Sequence, residues 1–360
     1  MKKVLFIAAH RPGRSPSQRF RFEQYFSYLN KNGFFCELSY LLSEKDDILF
    51  YKSGSFLSKA FILAKGILIR FYDVFRAFSF DIVFIQREAH FFGTSFFEQL
   101  FRYTGAKIVF DFDDAIWHFD ISEGNKRFSF LKNPSKTASI IRKSHMVFAG
   151  NEYLRNYALG FNNRVLIVPT TIDTVNYKCL DVNKGSKPIC IGWSGSLTTI
   201  VHFRFAISFL KKIQEIYNEK VCFKVIGYAN YEVEGLNLES IGWSKDSEVE
   251  DLSTIDIGIM PLPKDEWAKG KCGLKGLQYM ALGIPTIMSP VGVNSTIIEH
   301  GKNGFLASSE EDWVSLLCLL IENVSIRRKL GQSARKTVEV KYSIEANENL
   351  YLSAFKELLS

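Results

Sequence analysis

Short apolar, β-branched runs alternate with stretches of helical periodicity along most of the chain, the pattern of a parallel sheet covered by helices. Strands are expected at residues 4–8, 82–85, 107–110, 146–148 and 165–168, with helices at 18–32, 56–78, 91–103, 135–143 and 152–159 between them. Residues 174–188 (TVNYKCLDVNKGSKP) are polar and aperiodic and contain Gly185 and Pro188, so they read as a linker. The same grammar then restarts. Strands at 189–193, 222–226, 257–260 and 286–289 alternate with helices at 204–217, 247–253, 273–282 and 310–322, and a helical tail covers 326–359. Two successive Rossmann-like α/β units imply a cleft between domains, where small ligands tend to bind. The expected domains are 1–173, a linker at 174–188, and 189–335, followed by a C-terminal helix over 336–360.

The 360 residues suit two domains of ordinary size, and an apolar fraction of 47% excludes a disordered chain. The six cysteines are scattered with no CxxC pair, which argues against a zinc ribbon or a disulfide framework and for a reducing, cytoplasmic setting. The apolar run after Met1 ends at His10 and Arg11, too early for a signal peptide and right for a first strand. Net charge is +7, and residues 1–105 carry 15 Lys/Arg against 9 Asp/Glu, so +6 of it falls in the first domain. Within residues 54–80, Lys59, Lys65, Arg70 and Arg76 fall on one arc of an otherwise apolar helix. That face suits an anionic membrane surface at the inner side of the membrane; the alternative is a core helix that snorkels its cations.

The segment Lys269-Gly-Lys-Cys-Gly-Leu-Lys-Gly-Leu-Gln-Tyr-Met-Ala-Leu-Gly-Ile-Pro285 reads as a glycine- and lysine-rich loop running into a short helix, stopped by Gly283 and Pro285. Lys271, Lys275 and Gln278 would share a face near the helix start. Free N–H groups, the helix dipole and two ammonium groups then converge on an anion such as a diphosphate. The alternative is an ordinary βα loop with solvated lysines.

With KGLQYMALGIPTIMSPVG and IEHGKNGFL (298–306), GWSGS (192–196), DIGIMPLP (256–263), NEYL (151–154), PTTID (169–173) and RRKLGQSAR (327–335), the chain resembles family 4 retaining glycosyltransferases of the GT-B fold. The resemblance implies a nucleotide-diphospho-sugar on the C-terminal domain, an acceptor on the N-terminal domain, and a last helix that crosses back to the first domain. The family's two glutamates, eight positions apart, fall here on Gly270 and Gln278. Lys271 and Lys275 then take over diphosphate binding, with Gln278 able to bond ribose hydroxyls.

On the donor side the further candidates are Gly195 and Ser196, whose small side chains let a phosphate approach the backbone, and Gly273 at the helix start. Asp256 and Pro261 are expected beside the nucleotide base, Gly242 and Trp243 as backbone or stacking contacts, and Glu299 as a structural or ribose-proximal group. On the acceptor side stand His10, Gly13, Arg19, Arg21 and Glu88. The arginines could each grip a phosphate or an acidic acceptor with two hydrogen bonds. Asp113 and Asp114, in FDFDDAIW (110–117), match the place of the family's His-Asp pair and are candidate catalytic groups with Lys271 and Lys275. Either carboxylate could orient the donor sugar or take the acceptor proton, with a pKa raised by its acidic neighbours. A metal site on Asp111, Asp113 and Asp114, or a helix cap, are the alternatives. His118 also falls near a strand end.

The expectation is a hexosyl-type glycosyltransferase that moves a sugar, with retention, to a hydroxyl of a glycan or lipid-linked acceptor in cell-surface polysaccharide synthesis. No cofactor, metal or nucleic acid is expected. A GT-B-like nucleotide-sugar epimerase and a non-catalytic nucleotide-binding protein are the rivals. A dinucleotide oxidoreductase would need G-x-G-x-x-G after the first strand, which residues 10–15 lack.

Overall fold

The computed structural model describes residues 1–52, 54–118, 133–179, 188–196 and 199–360. The chain forms two compact units, Met1–Thr170 with Asn347–Ser360, and Thr171–Ala346. The first is built on six parallel strands, β1 (Lys2–His10), β2 (Phe34–Leu42), β3 (Ile82–Gln86), β4 (Lys107–Phe112), β5 (Met146–Ala149) and β6 (Val165–Ile167). Their order is β2-β1-β3-β4-β5-β6. Val4 to Ala8 and Ile82 to Ile85 are fully enclosed, which explains their unbroken apolar runs: a parallel sheet is covered on both faces. The second unit repeats the plan with β7 (Ile189–Ser194), β8 (Val221–Ile226), β9 (Leu238–Ile241), β10 (Ile257–Met260), β11 (Thr286–Met288) and β12 (Phe305–Leu306), in the order β12-β11-β10-β7-β8-β9. In each sheet the winding reverses direction once, between β1 and β3 and between β7 and β10. Ligand crevices in such sheets open at the carboxyl ends of those strands.

The terminal helix Ile344–Leu359 supplies its later turns to the first unit. Tyr351 donates its hydroxyl to the Arg21 carbonyl at 2.5 Å and stacks on Tyr25 at 4.5 Å, and Phe355 packs against Phe34 and Phe148. The expected linker is partly built into the second unit. Ile172 bridges to Ser343, and the buried Tyr177 donates its hydroxyl to Glu248 at 2.7 Å. Residues 180–187 of that stretch lie outside the described residues.

The helix Phe56–Ala77 reverses the expected arrangement of its faces. Lys59 and Arg70, 2% and 0% exposed, point inward, whereas Leu57, Phe61 and Phe75 are 89%, 70% and 78% exposed. The cause lies in what the first unit offers on its inner side. Arg70 donates to Asp73 and to the carbonyls of Ala8 and Ala89, each at 2.6 Å; Lys65 reaches Asp46 at 2.7 Å; and Arg76 pairs with Glu37 and Asp73. The cations therefore do not form a solvated basic face. The outward stripe is apolar and aromatic, with Leu68 and Tyr72 completing it. Among the described residues, no helix is long and apolar enough to cross a membrane.

Candidate functional site

In the second unit the crevice at β7 and β10 is organised by the helix Leu274–Ala281. Its Tyr279 is fully buried and its hydroxyl meets the Ser194 N–H at 2.6 Å and the Ser194 hydroxyl at 2.9 Å, fixing the helix to the end of β7. Gly258 on β10 makes room, since a Cβ there would sit 2.5 Å from the Tyr279 ring. The helix begins at Gly273, which has φ +73° and caps with no side-chain hydrogen bond, and a Cβ at this position would run into Ile297. The N–H groups of this first turn carry the positive end of the helix dipole.

Lys271 and Lys275 flank this helix start, and each lies over an indole: Lys271 over Trp267 at 5.0 Å and Lys275 over Trp193 at 4.6 Å from the ring centre. Trp193 is fully enclosed and its Nε1 has no hydrogen-bond partner. Gly195 closes the opposite side. Its N–H donates to the Ile226 carbonyl at 2.9 Å, and a Cβ would lie 2.7 Å from the Thr199 hydroxyl and collide with Trp193. Ser196 sits in the exposed turn that follows, where Thr199 Oγ1 accepts its N–H at 2.9 Å. The sequence missed one residue here. His202, in the 3-10 segment Ile200–Ala206, is buried with Nδ1 unpartnered, and its pKa is pushed down to about 3 by burial and then by Lys275 and Lys271. Its only trace in the sequence is a lone polar residue in Ile200-Val201-His202-Phe203.

The remaining donor-side candidates do not gather at this point. Gln278 is buried, its Nε2 donating to the Tyr177 hydroxyl at 3.0 Å and to Glu248 at 3.4 Å, so this amide nitrogen is engaged by protein groups rather than presented to a ribose. Trp243 donates Nε1 to the same Glu248 at 2.8 Å, so it belongs to that network and is not a free stacking platform. Gly242 is exposed, and a Cβ there would have only ordinary contact with Ala229, so nothing in the packing demands glycine. Pro261 is buried directly after β10, whereas Asp256 precedes that strand and accepts the Cys190 N–H at 2.9 Å, at the amino-terminal ends of the strands. Glu299 is exposed in a turn; Lys302 at 3.1 Å lowers its pKa.

In the first unit, His10 ends β1, its Nδ1 3.4 Å from Asp47 and its Nε2 3.3 Å from the Tyr51 hydroxyl. Asp47 also takes Arg11 at 3.3 Å and Arg14 at 2.6 Å. Burial works against its ionisation, but the close approach of His10 and the hydrogen bond and charge of Arg14 prevail and hold the carboxyl well below the usual range. Gly13 has φ +76° and donates its N–H to Glu23 at 2.8 Å. Arg19 is half-buried over the Phe20 ring at 4.8 Å. Arg21 cannot receive an acceptor: it is fully buried, paired with Asp111 and donating to the Val168 carbonyl.

Asp113 and Asp114 stand at the end of β4 beside Arg87, a residue with φ +61° that sequence reasoning passed over. Arg87 donates to Asp113 at 2.9 Å and to Ser17 at 2.8 Å, and lies 3.7 Å from Asp114. Burial raises the Asp113 pKa, but Arg87 and Arg21 outweigh it, so the carboxylate is held ionised; the expected upward shift is not observed. Each aspartate of the 111–114 cluster has a guanidinium neighbour, and among the described residues no group of three or more His, Cys, Asp or Glu side chains is placed to hold a metal ion. Glu88 is 2.6 Å from the buried Lys136, and His118 contacts the Tyr153 hydroxyl at 3.3 Å.

Residues 189–323 match the family model described as glycosyl transferases group 1. No curated protein matches the chain. Among solved structures, it is similar to a glycosyltransferase from Rickettsia africae (15% identity, 100% of this chain and 99% of that one, TM-score 0.69). It is also similar to a sucrose-phosphate synthase from Thermosynechococcus elongatus (11%, 99% and 99%, TM-score 0.69). A third is Anabaena Alr3699/HepE in complex with UDP-glucose (13%, 99% and 100%, TM-score 0.68). The two parallel six-stranded sheets and these likenesses give the fold as GT-B.

Proposed function

We propose that this protein is a hexosyl-type glycosyltransferase that moves a sugar, with retention, from a nucleotide-diphospho-sugar to a hydroxyl of a glycan or lipid-linked acceptor in cell-surface polysaccharide synthesis. The observation that carries the reading is the pair Lys271 and Lys275 beside the glycine-headed start of Leu274–Ala281, at the β7/β10 switch point. When the acceptor oxygen bonds to the anomeric carbon, the bond to the nucleoside diphosphate breaks and negative charge develops on the departing phosphate. Two ammonium groups and a row of N–H dipoles stabilise that charge, which is the main demand of the step. They also supply the counter-charge a metal would otherwise give, so activity should survive chelator.

On this reading the first unit is the acceptor side. Asp113, kept ionised by Arg87, is suited to accept the proton of the attacking hydroxyl. The outward stripe of Phe56–Ala77 would rest on the inner face of the membrane that holds a lipid-linked acceptor, gripping it by apolar insertion and not by charge. A thermal-shift panel of UDP-, GDP- and dTDP-sugars tests the donor site, because a ligand that binds the folded state raises the melting temperature. Incubation of the stabilising sugar nucleotide without acceptor then separates the transferase from an epimerase. Release of an altered free sugar would overturn the transferase assignment.

A further inference from the structure

We infer that His202 is a further ligand of the donor diphosphate, acting as a neutral hydrogen-bond donor through Nε2. The inference rests on the reading that Lys271 and Lys275 hold that group. Phe203, the next residue, packs on Trp193 with ring centres 5.8 Å apart, and Lys275 lies on that same indole at 4.6 Å. His202 thus precedes a residue on the indole that carries Lys275; its ring, 8% exposed, feels the charges of Lys275 and Lys271. Nδ1 is enclosed with no partner in hydrogen-bond range. Nε2 makes no hydrogen bond to the described residues and is not among the enclosed unpartnered atoms, so it is the nitrogen that faces outward.

That asymmetry fixes the tautomer. An enclosed N–H without an acceptor costs more than an enclosed lone pair, so the single proton of the neutral ring belongs on Nε2. Protonating Nδ1 as well would place a stranded donor and a second charge next to two cations, which accords with the pKa of about 3. The charged groups that bear on the ring are Lys275 and Lys271, both positive. In the ligand-free protein the buried imidazole therefore has one enclosed nitrogen and two cations as the charges acting on it. Against a diphosphate oxygen it supplies a fixed, uncharged donor that needs no proton uptake.

Calorimetry with UDP-glucose, UDP-N-acetylglucosamine and GDP-mannose tests this, since none of these diphosphates titrates between pH 5 and 8. For the sugar nucleotide that binds best, His202→Phe should weaken affinity at least ~10-fold, the usual effect of losing a hydrogen bond to a charged group. His202→Gln, which keeps an N–H, should recover part of the loss. Nitrogen NMR of the histidines should show the Nε2–H tautomer at pH 6, with the Nε2 signal moving on saturation. If His202→Phe folds poorly, the Gln variant and the NMR shift decide. Wild-type affinity in His202→Phe, or an unmoved Nε2 signal, overturns the inference alone. Failure of every sugar nucleotide to bind wild type overturns the donor-site reading with it.

Discussion

Replacing Lys275 by methionine should separate donor binding from folding. Lys275 is the second residue of the helix Leu274–Ala281, where a cation opposes the helix dipole by about 0.3–1 kcal/mol. Its contact with the face of the enclosed Trp193 returns about 0.5–2 kcal/mol, so the two effects offset each other in part in the ligand-free protein. Methionine keeps an apolar stem over the indole, and the melting temperature should stay close to wild type. With the diphosphate bound, the same ammonium makes a charge-assisted hydrogen bond of about 1.5–3 kcal/mol. Its loss should weaken sugar-nucleotide affinity by roughly 10- to 150-fold. The assay is calorimetric titration at low and high salt, and the deficit should shrink as salt screens the lost charge. An affinity within threefold of wild type, with the fold intact, would refute the diphosphate site.

Three further outcomes follow from the geometry. Arg21→Met strands the buried Asp111 carboxylate and should cost about 3–5 kcal/mol in urea unfolding, with the double variant Arg21→Met, Asp111→Leu regaining much of it. Asp47 has its folded pKa depressed by His10 and Arg14, so its contribution is complete above the unfolded value of about 3.9 and is lost as pH falls through the acid range; unfolding midpoints between pH 6 and 2.5 should fall less steeply in Asp47→Asn. Changing Phe61, Leu68 and Phe75 together to serine should leave thermal stability unchanged and abolish sedimentation with phosphatidylcholine vesicles, and wild type should bind neutral and anionic vesicles to similar extents because Lys59 and Arg70 are turned inward.

What the sequence made legible was the buried part of each sheet. β1 and β3 are enclosed on both faces, so their apolar runs carry an unambiguous signal, whereas the half-exposed β9 and the two-residue β12 are too short or too mixed to leave one. The expected helix over 18–32 breaks because Gln18 is used to clamp β1, accepting the His10 N–H at 2.9 Å and donating to its carbonyl at 2.8 Å; the chain continues as a 3-10 turn at Glu23–Tyr25 and a helix at Phe26–Lys31. The helix Phe56–Ala77 was readable as a helix with a cationic arc. Periodicity fixes an arc but not which way it faces, and the groups that draw Arg70 inward, Ser39 and the carbonyls of Ala8 and Ala89, are remote in sequence. The candidate site divides the same way. Lys271 and Lys275 could be put forward from sequence because the loop, the helix and both cations are contiguous. The bonds of Gln278 Nε2 were not legible because its partners Tyr177 and Glu248 lie 101 and 30 residues away.

The stacking of the two lysines on Trp267 and Trp193 has an optical consequence. Two of the chain's five tryptophans lie directly beneath the ammonium groups that a diphosphate would attract. Drawing those charges off the indole faces alters the field felt by each excited ring, so the protein carries its own emission reporter. Occupancy should be readable from intrinsic fluorescence without label or coupled enzyme, and Trp193→Phe and Trp267→Phe would assign the signal to one lysine or the other.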